Sequence, residues 1–131
     1  MSHAAAAPCA CGSGQPFGTC CGPFLAGRSV APTAEALMRS RYVAYLLAQE
    51  SYLLATWHAS TRPAALTLDE GPRPQWIGLA VKRYEVQDAD HAIVEFVARY
   101  KINGRAFRLH ETSRFVREAG RWLYVDGEIA N

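Results

Sequence analysis

All four cysteines of the 131-residue chain lie between positions 9 and 21, as Cys9-Ala-Cys11 and Cys20-Cys21, with Gly12, Gly14 and Gly18 between the pairs. Soft thiolates in this C-x-C-x8-C-C pattern have the number and chemistry of a tetrahedral Zn²⁺ ligand set. The glycines let the loop fold back so that both pairs reach one point. Adjacent Cys20 and Cys21 cannot bond to each other without strain, because a disulfide needs a particular Cα separation and torsion. Cross-pairing between the two ends stays open as a competing reading, as does a redox role. Met1-Ser2-His3-Ala4 shows no basic segment leading into an apolar run of secretory-leader length. The expected location is therefore cytoplasmic, where thiols stay reduced and clustered cysteines serve metals. Four thiolates leave no coordination position open, so the expected ion is structural and not the seat of catalysis.

A second chemistry would need a carboxylate held away from water. In the run from Ala106 to Arg117, alternation puts Phe107, Leu109, Glu111, Ser113 and Phe115 on one face and Arg108, His110, Thr112 and Arg114 on the other. Glu111 thus stands among core residues, where an ionised group needs a partner. Arg41, in the middle of an apolar helix face, is the complementary orphan, and it is expected to meet Glu111 or, failing that, Glu95. Such a pair pins helix to sheet. The alternative is a small-molecule or enzymatic pocket in which the carboxylate serves as general base, with Tyr42, Tyr45 and His110 alongside. No spacing here makes a catalytic dyad or triad, so no catalytic residue is assigned and a non-enzymatic role is preferred. His58 is expected to cap a helix end, with closing such a pocket as the alternative, and His91 to be exposed at a strand start. Trp76, Trp122, Tyr124 and Phe96 read as sheet core.

The elements that must hold these residues are legible in outline. Thr33 is placed to cap a helix running to about Gln49, with Glu35 near its positive end. Ala34, Leu37, Met38, Arg41, Ala44, Tyr45 and Ala48 share one face of it. Val43, Leu46 and Leu47 make another side apolar, which calls for a second cover, either the cysteine segment or another subunit. Ser51 is expected to cap a short helix through Trp57. After the breaker Gly71-Pro72-Arg73-Pro74 come four strand-like runs, Trp76 to Val86, His91 to Tyr100, Ala106 to Arg117 and Trp122 to Val125 or a little beyond, joined by hairpins. Helices followed by a meander predict an α+β domain over residues 31–131, behind a small cysteine-bearing unit over 1–30. The first thirty residues hold few aliphatic side chains, so the metal would supply the stability that a core does not.

The formal charge is +2, and four thiolates on one Zn²⁺ would add about −2. Bulk charge therefore does not point to nucleic acid. Locally, Arg99, Lys101, Arg105, Arg108, Arg114 and Arg117 cluster between 99 and 117. A solvated strand face accounts for them, and a contact with RNA, the ribosome or an acidic partner is the alternative.

The segment Cys9-Ala-Cys11-Gly-Ser-Gly through Cys20-Cys21-Gly22 resembles the SEC-C zinc motif, found also in the C-terminal tail of the translocase ATPase SecA. Ala36-Leu37-Met38-Arg39-Ser40-Arg41-Tyr42-Val43-Ala44-Tyr45, Tyr52-Leu53-Leu54-Ala55-Thr56-Trp57-His58, Val94-Glu95-Phe96-Val97-Ala98 and Trp122-Leu123-Tyr124-Val125-Asp126-Gly127 resemble the YchJ family of bacterial proteins. The resemblance implies Zn²⁺ held by Cys9, Cys11, Cys20 and Cys21. It also implies a nuclear-transport-factor-2-like, cystatin-like cone, a curved four-stranded antiparallel sheet around a long helix. That fold carries enzymes and binding modules alike. By similarity to the SecA tail, the zinc knuckle is expected to present Phe17, Phe24 and Arg28 to a protein or ribosomal partner. An interaction module without membrane insertion is the preferred reading, and a pocket at Arg41 and Glu111 the second.

Overall fold

The computed structural model describes residues 5–68 and 71–130; Met1 to Ala4, read above for a leader, and Asp69, Glu70 and Asn131 lie outside the described residues. Along the chain come a 3-10 turn at Phe17–Thr19 and the helices α1 (Gly22–Leu25), α2 (Ala34–Leu46) and α3 (Glu50–Ala55). Four strands follow, β1 (Gln75–Asp88), β2 (His91–Ile102), β3 (Arg105–Glu118) and β4 (Arg121–Ala130). They pair antiparallel in the order β1-β2-β3-β4. No described helix is long and apolar enough to cross a membrane.

Sequence explains where α2 begins. The Thr33 hydroxyl accepts the Ala36 N–H at 3.0 Å, and Glu35 adds an acidic group to the first turn. The helix stops at Leu46, three residues short of the expected end, and Ala48 takes a positive φ of 57° in the turn that follows. Ser51 does not cap α3. Gln49 occupies that position without a side-chain bond, and Ser51 lies exposed in the first turn.

The strands outrun their apolar cores because the hairpins close on two residues. Asn103-Gly104 and Ala119-Gly120 both have positive φ at each position, a pattern whose twist matches the flanking strands. Register shifts in β1 near Trp76, Val81 and Val86, and one between Arg114 and Phe115, bend the sheet. Its concave face receives α2, which touches β1, β2 and β4.

Two clusters form the core. Ala34, Leu37 and Met38 of α2 pack with Ala92, Val94, Phe115 and Trp122 from the sheet. Tyr42 and Val43 pack with Ala98 and with Cys9, Cys11 and Cys21. The cysteine segment is thus the second cover that the doubly apolar helix required. Burying one Leu or Val in this way is worth about 1.5–3 kcal/mol. α3 closes the remaining side, with Leu53 fully buried and the Tyr52 hydroxyl 2.7 Å from that of Ser40. Thr56 and His58 then bond the Tyr124 backbone in both directions, covering the free edge of β4.

Candidate functional site: a thiol cluster beside a charged cavity

The backbone gathers the cysteines before any side chain acts. Cys9 N–H donates to Gln15 O at 2.8 Å and Gly12 N–H to Cys9 O at 3.1 Å, with Gly12 and Gly14 at φ 82° and 84°. A Cβ on Gly12 would lie 3.2 Å from Leu79 O, so that turn sits directly on β1. Arg39 fastens it from the helix, its Nη1 donating to Cys11 O at 2.7 Å while Glu35 holds its Nε at 3.0 Å.

The four Sγ atoms lie within 4.8 Å of one another, with Cys11 to Cys20 at 3.7 Å and Cys20 to Cys21 at 3.9 Å. A Zn–S bond of about 2.3 Å puts the sulfurs of a tetrahedron about 3.8 Å apart, so the donor set fits one tetrahedral soft-metal ion. All four are free thiols, and the cross-paired disulfide is not formed. Cys9, Cys11 and Cys21 are buried and Cys20 half-buried. The hydrogen bond from Cys21 holds the Cys11 thiol down, at about 4, and the same bond raises that of Cys21. Burial raises Cys9. Of the residues expected to face a partner, Phe17 and Phe24 are half-buried, Phe17 against the cluster that includes the thiols and Phe24 against the sheet core, and Arg28 is exposed.

Immediately behind this segment, between α2 and the concave sheet, lies a cavity of about 290 Å³. Tyr42, Trp76, Phe96, Ala98 and Leu109 line it, and the same residues belong to or pack against the cluster that contains Cys9, Cys11 and Cys21. One aromatic wall therefore serves both sites. Arg41, Tyr45, Glu111, Ser113 and Tyr124 supply its polar groups.

The expected Arg41–Glu111 ion pair is not made, and neither is one with Glu95. Arg41 is 5% exposed, and its Nη1 donates to Leu53 O and to Thr56 Oγ1, both at 2.7 Å. Its guanidinium carbon lies 5.0 Å from the ring centre of Trp57 and 4.7 Å from that of Tyr124. The last turn of α3 draws the side chain sideways, where neutral oxygens and ring faces solvate it. Burial pushes its pKa down, and Tyr45, Tyr124, Tyr52 and Glu111 act against that through space. Glu111 is held instead by Ser113 Oγ, which donates to its Oε2 at 2.6 Å, and more loosely by the Tyr124 hydroxyl at 3.4 Å. Burial first, and Glu111 with it, raises the Tyr45 and Tyr124 hydroxyls against the opposing pull of Arg41, so both stay protonated donors.

Of the expected pocket residues, the structure brings together Arg41, Tyr42, Tyr45 and Glu111. Glu95 and His110 are not with them. Alternation sends both to the outer face, where His110 Nε2 lies 2.7 Å from Glu95 Oε2 and Arg83 Nε lies 3.6 Å from Oε1. His58 neither caps a helix nor lines the cavity; its ring lies 2.7 Å from Glu118 on one side and from Ser60 on the other. His91 is exposed as expected and bonds Asp88. In the basic stretch, Arg114 meets Asp126 and Glu128 and Arg117 meets Asp90, while Arg99, Lys101, Arg105 and Arg108 are exposed with no carboxylate within 4.0 Å among the described residues. Sequence reasoning missed Thr56, Trp57 and Tyr124 as the setting of Arg41. The parity that selected Glu111 could have pointed to Ser113.

A family model described as the middle, NTF2-like domain of YchJ matches residues 33–127. Over 129 residues, 94% of this chain and 89% of the relative, the sequence is 59% identical to a UPF0225 protein of Cupriavidus metallidurans. A UPF0225 protein of Polaromonas naphthalenivorans is 63% identical over 113 residues, 86% of this chain and 82% of the relative. The solution structure of a SEC-C motif containing protein from Rhodopseudomonas palustris superposes with a TM-score of 0.84 at 33% identity, covering 95% of this chain and all of the other. The cysteine-bearing segment and the cone thus occur together elsewhere, and the chain belongs to the YchJ-like UPF0225 family.

Proposed function

We propose that the protein is a zinc-braced binding domain for a small molecule, which enters the cavity between α2 and the concave sheet. The carrying observation is Arg41, buried and lining that cavity, with no carboxylate within 4.0 Å among the described residues. A side chain kept only for stability would be better replaced by an apolar one of similar volume, because burying a charge costs several kcal/mol unless it is paired. Phe17 and Phe24, the aromatic anchors that an interaction role for the knuckle would use, are half-buried against the protein's own clusters. This favours the cavity reading over the interaction module.

Cys9, Cys11, Cys20 and Cys21 would hold one Zn²⁺, and the ion would supply cross-linking of the loop and no catalysis. Its role follows from the shared wall: it fixes the segment that backs Tyr42 and Trp76. The test is a fragment screen by protein NMR on the zinc-loaded full chain. Hits should shift the amide signals of Tyr45, Glu111 and Tyr124 and weaken on chelation. Hits that map only to the outer face would remove the cavity as the site.

A further inference from the structure

Building on the reading of the cavity as a binding site, we infer the ligand's class: a small planar molecule with a carboxylate at one end and a hydrogen-bond donor at the other. The carboxylate docks on Arg41 and the donor on Glu111.

The cavity presents two opposite charges that do not satisfy each other. Arginine has five donors in a fixed fork; Nη1 of Arg41 bonds Leu53 O and Thr56 Oγ1, the Tyr45 hydroxyl also interacts with the guanidinium, and none of these partners carries a formal charge. Ring faces and neutral oxygens lower the cost of burying the guanidinium but do not neutralise it. A planar carboxylate accepts two parallel bonds from such a fork. Glu111, for its part, takes the bonds from Ser113 and Tyr124 on Oε2 alone. Its Oε1 retains acceptor capacity for a ligand O–H or N–H.

Tyr124 lies between the two charges. Its ring face lies under the guanidinium and its hydroxyl is 3.4 Å from Glu111 Oε2. A ligand ring would lie beside this phenol, with its acid turned to the guanidinium and its donor to Glu111. Trp76 and Phe96 give such a ring apolar walls. A volume of about 290 Å³ lies at the low end for ligand sites, which favours a single ring over a fused system.

The test is isothermal titration calorimetry on the zinc-loaded full chain with 4-hydroxybenzoate, benzoate, 4-hydroxybenzamide and phenol as probes, each mapped by NMR to Tyr45 and Tyr124. The acid should bind at least about tenfold tighter than its amide, which has the same shape without the charge. Glu111→Gln should erase the advantage of 4-hydroxybenzoate over benzoate, and Arg41→Lys should keep binding while narrowing the acid–amide gap. The probe comparison needs no variant, so it stands even if a substitution unfolds the chain. Equal binding of acid and amide in the cavity overturns the charge assignment and leaves the cavity reading intact. Binding by none of the four overturns this inference, and a silent wider fragment screen would then remove the cavity reading as well.

Discussion

The thiol cluster and the cavity share a wall, yet they treat their reactive groups in opposite ways. The backbone turns of the N-terminal segment bring four like donors within 4.8 Å of one another. The cavity instead keeps Arg41 and Glu111 more than 4.0 Å apart and gives each a separate set of neutral partners. A closed donor set suits an ion that holds chain segments together. Charges held apart in a concave space suit a molecule that comes and goes. The outer sheet face supplies a third case, in which His110, Arg114 and Arg117 all lie against carboxylates at the surface. Among the described residues, the buried charged side chain is Arg41, and it lies on the cavity.

The largest effect should come from opening the closed site. Structural zinc in thiolate sites contributes about 10–16 kcal/mol of apparent binding energy, so Cys21→Ser or a strong chelator should release about one equivalent of metal. Amides between 5 and 30 should lose hydrogen-exchange protection while β2 and β3 keep theirs. Sheet amides that melt at the same chelator concentration would show that loop and cone are one cooperative unit.

Next comes the cavity, where stability and binding should separate. Arg41→Met strips Leu53 O and Thr56 of a charged donor, and hydrogen bonds to charged groups are worth about 1.5–3 kcal/mol each. Relief of the buried charge offsets part of this, so urea titration should show a net loss of about 1–3 kcal/mol. Glu111→Gln keeps an acceptor for Ser113 and should cost less than about 1 kcal/mol, while ligand affinity falls about tenfold. A Glu111→Gln loss as large as that of Arg41→Met would make Glu111 structural after all.

Alkaline pH probes the same wall. Tyr45, Tyr52 and Tyr124 have pKa values raised by burial above an ordinary 10.0, so the folded state holds their protons more tightly than the unfolded chain. Their contribution is fully present below about pH 10 and is lost as pH climbs through the raised values. Denaturant midpoints should be flat from pH 8 to 9.5 on this account and fall beyond pH 10, and Tyr45→Phe should blunt the fall. The smallest effect belongs to the outer face. Arg114→Ala breaks exposed pairs with Asp126 and Glu128 and should cost no more than about 0.5–1 kcal/mol, less at high salt.

Much of this arrangement was legible from residue types. Four cysteines in a short glycine-bearing loop have few other uses, and alternation in β3 placed Glu111 and Ser113 on the inner face without reference to any partner. The destination of Arg41 was not legible, because its acceptors are a backbone carbonyl at Leu53, a hydroxyl at Thr56 and two ring faces. None of these has the complementary charge by which a sequence advertises a partner. Glu95 was misplaced for a related reason. Its run Val94-Glu95-Phe96-Val97-Ala98 is apolar on both sides, and only pairing with Thr112 opposite reveals which way it turns. Val97 shares that outer face yet is only 3% exposed, so burial and orientation part company there.

Gly127 in β4 interrupts a strand at a point where a side chain would normally help. A Cβ there would fall 2.8 Å from the Glu111 carboxyl carbon, inside contact distance. The Glu111 carboxylate therefore occupies the space that a side chain at 127 would fill. An alanine there would push the flexible end of Glu111 aside, so Gly127→Ala should disturb the position of the cavity's negative charge more than the stability of the sheet.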